Sequence, residues 1–537
     1  MIGELKARGV KRMFGVPGSG SSIDLIGAAD KAGIDFVLCR TETAAAITAA
    51  VSAELSGIPG VVLAGIGPGA TSLVNGVAYA FLERAPLIVL TDARKPDAHQ
   101  PDATAPGNFG HQVFDQQAMF APITKATMHI EAETGAETFA AIIDQALAYP
   151  PGPVHVDLSV KAAVQLIDAA PPRGPSIAPE IGISGLDDAA RILAEARRPV
   201  VLVGLEARHS AAAEALVKLT DSLTLPVLTT YKAKGVMAED QAMFVGPFTG
   251  ATNEAKTLSQ ADVILFYGVD SVEMILSTWP YPAKIVALNE GPARPMPDTP
   301  AAPAAHVHGP IAAALTSLSQ QLGDAATDWT LAEIADLRHA MRRNVEMPPS
   351  DVLTVHSVVE AAIAIAPKGT RATVDAGAHM FSAMALWPAT RPHDVLKSNG
   401  LSTMGFALPA AIASSLEAPD RPVIAFIGDG GLMMCMAEIS TATRLGCNLK
   451  IVVLNDAALT MIGIKQEMQQ RPRAGVDYPA LDFVAIASGM GCKAWRAETP
   501  NELAVVLAEA FAVPGPRLID ARIDPAGYGD QLAALRG

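Results

Sequence analysis

The sequence predicts an α/β protein built from three doubly wound parallel-sheet domains, and three observations carry that expectation. Short β-rich runs alternate with Ala-rich helical stretches along almost the whole chain, the pattern of strands covered by helices on both faces. The length, 537 residues, exceeds what one hydrophobic core organises. The alternation is interrupted twice, by the Pro-rich stretch AAPPRGPSIAPEIG at 169–182 and by a polar, Pro-containing region over 323–352.

The elements follow in order. In the first domain, residues 1–168, the strands are DFVLCR (35–40), GVVLAG (60–65), PLIVLTD (86–92) and VHVDL (154–158). Between them TETAAAITAAVSAEL and ATSLVNGVAYAFLER read as helices. The second domain, 183–325, carries PVVLVG (199–204), LPVLTT (225–230), DVILFYG (262–268) and KIVALN (284–289). The third, 350–537, carries RATVDAG (371–377), PVIAFIGDG (422–430), LKIVVLND (449–456) and PRLIDARID (516–524). The first and third domains share a rhythm, although no short repeat aligns them.

Composition narrows the function. Half the residues are hydrophobic and 18% are charged, and the formal net charge is -15 with no Lys/Arg cluster to offset it. Nucleic acid and anionic membranes are therefore poor partners, and an anionic ligand needs local neutralisation. Cys39, Cys435, Cys447 and Cys492 form no C-x-x-C pair and read as reduced core residues. The first residues, MIGELKARGVKRMFGVPG, lack the apolar core of a signal peptide, and no uncharged apolar run reaches the roughly 18 residues of a membrane helix. A cytoplasmic protein is expected.

The most specific stretch is GDGGLMMCMAEISTATRLGCNLKIVVLND, from Gly428 to Asp456. Gly-Asp-Gly follows one apolar strand, and Asn455 closes the next. Parallel strands end on one sheet edge, where ligands bind. Asp429 offers a carboxylate oxygen and Asn455 an amide oxygen. Gly428 and Gly430 let the backbone come close to a ligand. The helix expected after Gly431 aims free N–H groups at the same place. Together these suit a magnesium-bound diphosphate, the metal taking diphosphate oxygens and a few protein oxygens.

This stretch resembles the motif of the thiamin diphosphate-dependent family that includes acetolactate synthase, pyruvate oxidase and benzoylformate decarboxylase. The resemblance implies that Asp429, Asn455 and the carbonyl of Ala457 hold Mg2+. It extends to FVLCRTETAAAITAAVSAELSGIPGVVLAGIGPGAT, similar to the family's first-domain block, where Glu42 falls on its glutamate and Thr41 and Thr43 replace the usual His and Gln. A carboxyl group at N1′ of the aminopyrimidine favours the imino tautomer, whose nitrogen takes the C2 proton intramolecularly. SNGLSTMGFALPAAIAS places Met404 under the bend of the cofactor, and VDAGAHMFSAMALW places Gly377 and His379 at the diphosphate. Pro17, Asn75 and Gly431 complete the cofactor-side positions that the resemblance implies. NFGHQVFDQQAMFAPITK is similar to the acetolactate synthase segment that bears a Phe-Gln pair; Gln112 falls on the Gln and His111 replaces the Phe.

The resemblance covers about residues 1–530 and implies pyrimidine-binding, central and diphosphate-binding domains in that order. It further implies a homodimer or homotetramer with active sites between chains. The implied reaction makes or breaks a C–C bond beside a carbonyl. C2 attacks a 2-oxo acid, CO2 leaves, and the remainder is protonated or trapped by an acceptor, as in acetolactate synthase. A benzoylformate decarboxylase-like or 2-hydroxyacyl-CoA lyase-like activity is the alternative, and a non-catalytic homologue is a third reading that retention of Glu42, Asp429 and Asn455 opposes. Leu205 and Glu206 stand where relatives carry a glycine-rich FAD turn. A carboxylate there repels a flavin pyrophosphate, so no stoichiometric FAD is expected.

Overall fold

The computed structural model describes residues 1–93, 111–131, 134, 136–164, 182–275, 279–291, 302–323, 325–347 and 350–536. Strands β1 (Arg12–Val16), β2 (Asp35–Leu38), β3 (Gly60–Ala64), β4 (Leu87–Ala93), β5 (Thr127–Ile130) and β6 (Val154–Ser159) form a sheet of order β2-β1-β3-β4-β6-β5. A second sheet, of order β12-β11-β10-β7-β8-β9, contains β7 (Pro199–Val203), β8 (Val227–Thr230), β9 (Phe244–Phe248), β10 (Val263–Tyr267), β11 (Lys284–Asn289) and β12 (Ala305–His308). The third, of order β14-β13-β15-β16-β18-β17, contains β13 (Arg371–Val374), β14 (Val395–Lys397), β15 (Val423–Gly428), β16 (Leu449–Asn455), β17 (Lys493–Ala497) and β18 (Arg517–Arg522). Neighbouring strands in all three sheets run parallel. The first and third sheets have the same strand order, so their common sequence rhythm reflects a common topology.

Central strands such as β3 and β16 are buried along their full length, because helices cover both faces. That is why they read as unbroken apolar runs. Except for β1, every strand that the sequence left unassigned (β5, β9, β12, β14 and β17) lies at a sheet edge. The stretch expected to link the first two domains lies, but for Gly182, outside the described residues. All four cysteines are buried and free. Among the described residues no helix is long and apolar enough to cross a membrane.

Two features join the domains. The Ala-rich helix Glu42–Ser56, buried from Ala44 to Ala53, packs against the helix Ala407–Glu417 of the third domain. Their common core holds Phe14, Ala46 and Ala50 with Phe406, Ala410 and Ala413. Alanines at this contact let the two backbones approach closely, a need that the Ala-rich sequence already carries. The second feature is a buried charge cluster at the meeting of all three domains. The Glu54 carboxylate accepts hydrogen bonds from Arg208 (2.7 Å), Lys232 (2.8 Å) and the Tyr79 hydroxyl (2.5 Å). Lys232 also pairs with Glu83 at 3.0 Å, and the other oxygen of Glu83 accepts the N–H groups of Asn399 and Gly400. The two cations hold the Glu54 carboxyl down to about 2 against the opposing effect of burial.

Candidate active site

β13, β15 and β16 end on one edge of the third sheet, and a cavity of about 320 Å3 opens there. Its walls include Gly377, His379, Met404, Gly428, Asp429, Gly430, Gly431 and Asp456. The Gly-Asp-Gly turn puts Asp429 at the first position of the helix Asp429–Cys435, three residues earlier than expected. The N–H of Gly430 is taken by Oδ1 of Asp429 at 2.8 Å, so it is not among the free donors of that turn. Oδ2 of Asp429 is buried without a partner. A Cβ at Gly431 would lie 2.1 Å from Oδ2 of Asp375, so no larger residue fits that step.

At the next strand end Asn455, the last residue of β16, donates its amide to Asp520 on β18 at 2.8 Å, and its Oδ1 is buried without a partner. Asp456 and Ala458 line the cavity, whereas Asn455 and Ala457 do not. Ala457 holds φ at 57°, a left-handed conformation that a non-glycine residue adopts only when its surroundings impose it. This kink lies between the strand end at Asn455 and the cavity wall at Ala458. Burial, together with the charge of Asp429, pushes the Asp456 carboxyl up to about 6, and burial raises that of Asp429. Two buried carboxylates with like charge and an unpaired oxygen suit a hard divalent cation, which would relieve both effects.

His379 stands beside them. Its ring packs over Gly377 and Gly428, where added Cβ atoms would lie 2.8 and 3.4 Å from it. Burial, then the positive charge of Lys397, lowers its pKa to about 4, so the ring is neutral, and Nε2 is buried without a partner. A neutral imidazole with one open nitrogen can donate to an anionic oxygen. Met404 forms another part of the wall, its Cε 3.6 Å from the Cβ position of Gly430.

The first-domain candidates occupy the corresponding edge of the first sheet. Glu42 opens the helix Glu42–Ser56 after β2, and Thr41 caps it by accepting the N–H of Ala44. The Glu42 carboxylate is partly exposed and lies 3.6 Å from the Cβ position of Gly69. Gln112 lies against Gly67, which precedes the helix Pro68–Leu82, and holds φ at 62°. Pro17, Asn75, His111 and Gln112 are exposed. None of these residues lines the third-domain cavity. Residues 108–110 of the segment before His111 lie outside the described residues.

Comparison with known proteins decides the family. Residues 1–119, 186–318 and 375–521 match in turn the N-terminal TPP binding domain, the central domain and the C-terminal TPP binding domain of thiamine pyrophosphate enzymes. Over 98% of its length the chain is 32% identical to a "Probable acetolactate synthase large subunit" of Methanocaldococcus jannaschii, covering 91% of that protein. The chain belongs to the thiamine pyrophosphate enzyme family. It is also 29% identical to the acetolactate synthase of Bacillus subtilis, over 98% of this chain and 92% of the relative. A "Probable 2-ketoarginine decarboxylase" of Pseudomonas aeruginosa is 28% identical over 96% and 91% of the two chains. The protein is an acetolactate synthase-like thiamine pyrophosphate enzyme.

Within this thiamine pyrophosphate enzyme the central domain has an unusual strand end. After β7, the N–H of Leu205 is taken by Glu273 at 2.7 Å. Glu206 accepts hydrogen bonds from the Asn289 amide (3.0 Å), the N–H of Glu290 (2.9 Å) and the Tyr149 hydroxyl. The N–H of Leu205 and the donors of Asn289 and Glu290 are thus engaged by Glu273 and Glu206. Sequence reasoning also missed Asp375, Asp92 and Asp456. Asp375 accepts the N–H groups of Gly405 and Phe406, each at 3.0 Å, and so fixes the chain just after Met404. Asp92 accepts the N–H groups of Gly20 and Ser22 and so fixes the loop after Pro17. Each lies at or just past the C-terminal end of a strand, a signal that could have singled them out.

Proposed function

We propose that the chain is a thiamin diphosphate- and Mg2+-dependent enzyme that joins two carbonyl compounds by a new C–C bond after decarboxylating a 2-oxo acid, as an acetolactate synthase does. The observation that carries this reading is the unpaired Oδ2 of Asp429 beside Asp456 in the third-domain cavity, with the open Nε2 of His379 on the same wall. Asp429, Asn455 and the carbonyl of Ala457 would hold the metal, with Asp456 beside them, and His379 would donate to the diphosphate. The Asn455 amide ties the strand end to Asp520 and leaves its unpartnered Oδ1 for the metal. When bound, thiamin diphosphate supplies the nucleophilic carbon that attacks 2-oxo acids.

Glu42 would hold a proton at N1′ of the aminopyrimidine and Met404 would support the bend between the rings. Pro17, Asn75, His111 and Gln112 are exposed in the isolated chain, and Glu42 does not reach the cavity of its own chain. Both facts support a homo-oligomer in which this face closes over the cavity of a second copy. The engaged Leu205 N–H and the Glu206 carboxylate support the absence of FAD. Simple decarboxylation is the second reading. It rests on His111, which offers a proton where a Phe would only shape the acceptor site.

Incubation with Mg2+, thiamin diphosphate and a panel of 2-oxo acids, with products identified by mass spectrometry, separates the two readings. Carboligation gives a longer 2-hydroxy ketone or acid, and decarboxylation gives an aldehyde. The activating role has its own measurement. Glu42→Gln should slow exchange of the bound cofactor's C2 proton by roughly 10²–10⁴-fold while cofactor affinity changes little. Exchange at the parent rate would remove Glu42 from the mechanism.

A further inference from the structure

The Glu42 carboxylate has no hydrogen-bond partner among the described residues, so its position is set by the backbone that carries it. That backbone is held from another domain. Glu438, at the start of the helix Glu438–Leu445, is buried, and its Oε1 accepts the N–H groups of Arg40 (2.8 Å) and Thr41 (3.0 Å). These are the two residues before Glu42. Its Oε2 accepts the hydroxyl of Thr441 at 2.7 Å, which fixes the rotation of the carboxylate. Around it, Nε of Arg40 donates to Ser440 at 2.9 Å, and Arg444 donates to the carbonyl of Leu38. The whole β2-to-helix loop is therefore docked on one face of the helix Glu438–Leu445.

We infer that Glu438 is a positioning residue for Glu42. The inference rests on the proposed role of Glu42 and deepens it. Both N–H groups belong to the entry of the helix Glu42–Ser56, which has no partner for them within the helix itself. A buried side-chain oxygen that accepts both fixes that entry. The support is also rigid. Asp429–Cys435 and Glu438–Leu445 are joined by Met436 and Ala437, both in right-handed helical conformation. The segment that begins at the Gly-Asp-Gly turn thus ends on the loop that aims Glu42. Loss of the Glu438 carboxylate leaves two part-buried N–H groups without this acceptor and frees Glu42 to shift.

The test compares Glu438→Ala and Glu438→Gln, alone and combined with Glu42→Gln, by C2 proton exchange and by calorimetry of thiamin diphosphate with Mg2+. Glu438→Ala should slow exchange on the order of 10- to 100-fold, the usual penalty for a catalytic group displaced by about 1 Å, with cofactor affinity unchanged. Glu438→Gln should exchange at the parent rate, because its amide oxygen can accept both N–H groups while its NH2 donates to Thr441. In the Glu42→Gln background, Glu438→Ala should add nothing. Glu438→Asp, which keeps the charge but withdraws it by one methylene, replaces Glu438→Ala if the latter fails to fold, and carries the same expectation. Parent-rate exchange in Glu438→Ala, or an equal further slowing in the Glu42→Gln background, overturns the inference while leaving Glu42 in place. Parent-rate exchange in Glu42→Gln overturns both.

Discussion

At the scale of single residues, the end of β16 sets two neighbouring side chains to different tasks. Asn455 and Asp456 are adjacent, yet one donates to Asp520 inside the sheet and the other lines the cavity with Asp429. Successive side chains of a strand point to opposite faces, so a shift of one residue exchanges the two roles. Calorimetry with thiamin diphosphate and Mg2+ can read the difference. Asp429→Ala and Asn455→Ala should abolish measurable metal-dependent binding, because the diphosphate charge would lose its bridging cation. Asp456→Ala should weaken binding only about 10–100-fold, as loss of a residue beside the metal ligands does. A larger loss in Asp456→Ala than in Asn455→Ala would move the metal from Asn455 to Asp456.

At the scale of elements, the same strand-turn-helix unit serves different ends in the third and second domains. After β15 the turn leaves an unpaired carboxylate oxygen in a cavity. After β7 the turn is closed, with Glu273 on the N–H of Leu205 and Glu206 holding Asn289 and Glu290. A pyrophosphate would have to displace both carboxylates and then sit beside them. Purified protein should accordingly show no flavin absorbance in the visible range, and added FAD should not raise activity. One flavin per chain would mean that the turn reopens.

At the scale of the whole molecule, charge buried between the domains sets how stability depends on pH. His393, beside the cluster of Glu54, Arg208 and Lys232, donates from Nε2 to the carbonyl oxygen of Arg208 at 3.1 Å. Burial, then the nearby Arg208, lowers its pKa to about 3 from an ordinary 6.5. The unfolded chain therefore binds a proton that the folded chain refuses, and stability falls as pH drops below 6.5. Between pH 6.5 and about 5 this group alone should cost up to about 2 kcal/mol. The Glu54 carboxylate, held at about 2, contributes its stability above 4.5 and loses it only as pH falls toward 2, outside that window. Thermal unfolding of His393→Gln should be less steep in pH between 6.5 and 5 than that of the parent; an equal slope would place the acid sensitivity elsewhere.

The sequence by itself determined the fold class, the three-domain order and most of the central strands, because strands covered on both faces must be apolar without interruption. It also determined the family, through Glu42 and the Gly-Asp-Gly turn, since glycine beside an acid at a strand end answers a local backbone demand. Edge strands escaped it, having one open side and a weaker apolar signal. What only the tertiary structure decided was which neighbour faces a cavity and which residues meet across domains. Asp456 lines the cavity where the chain kinks at Ala457, while Asp520 takes the Asn455 amide across the sheet. Glu438 meets Arg40 and Thr41 across almost four hundred positions of sequence (|i−j| of 398 and 397) because two helices on different domains share one face. Such pairings depend on how sheets and helices pack in space, and no local pattern of residues encodes them.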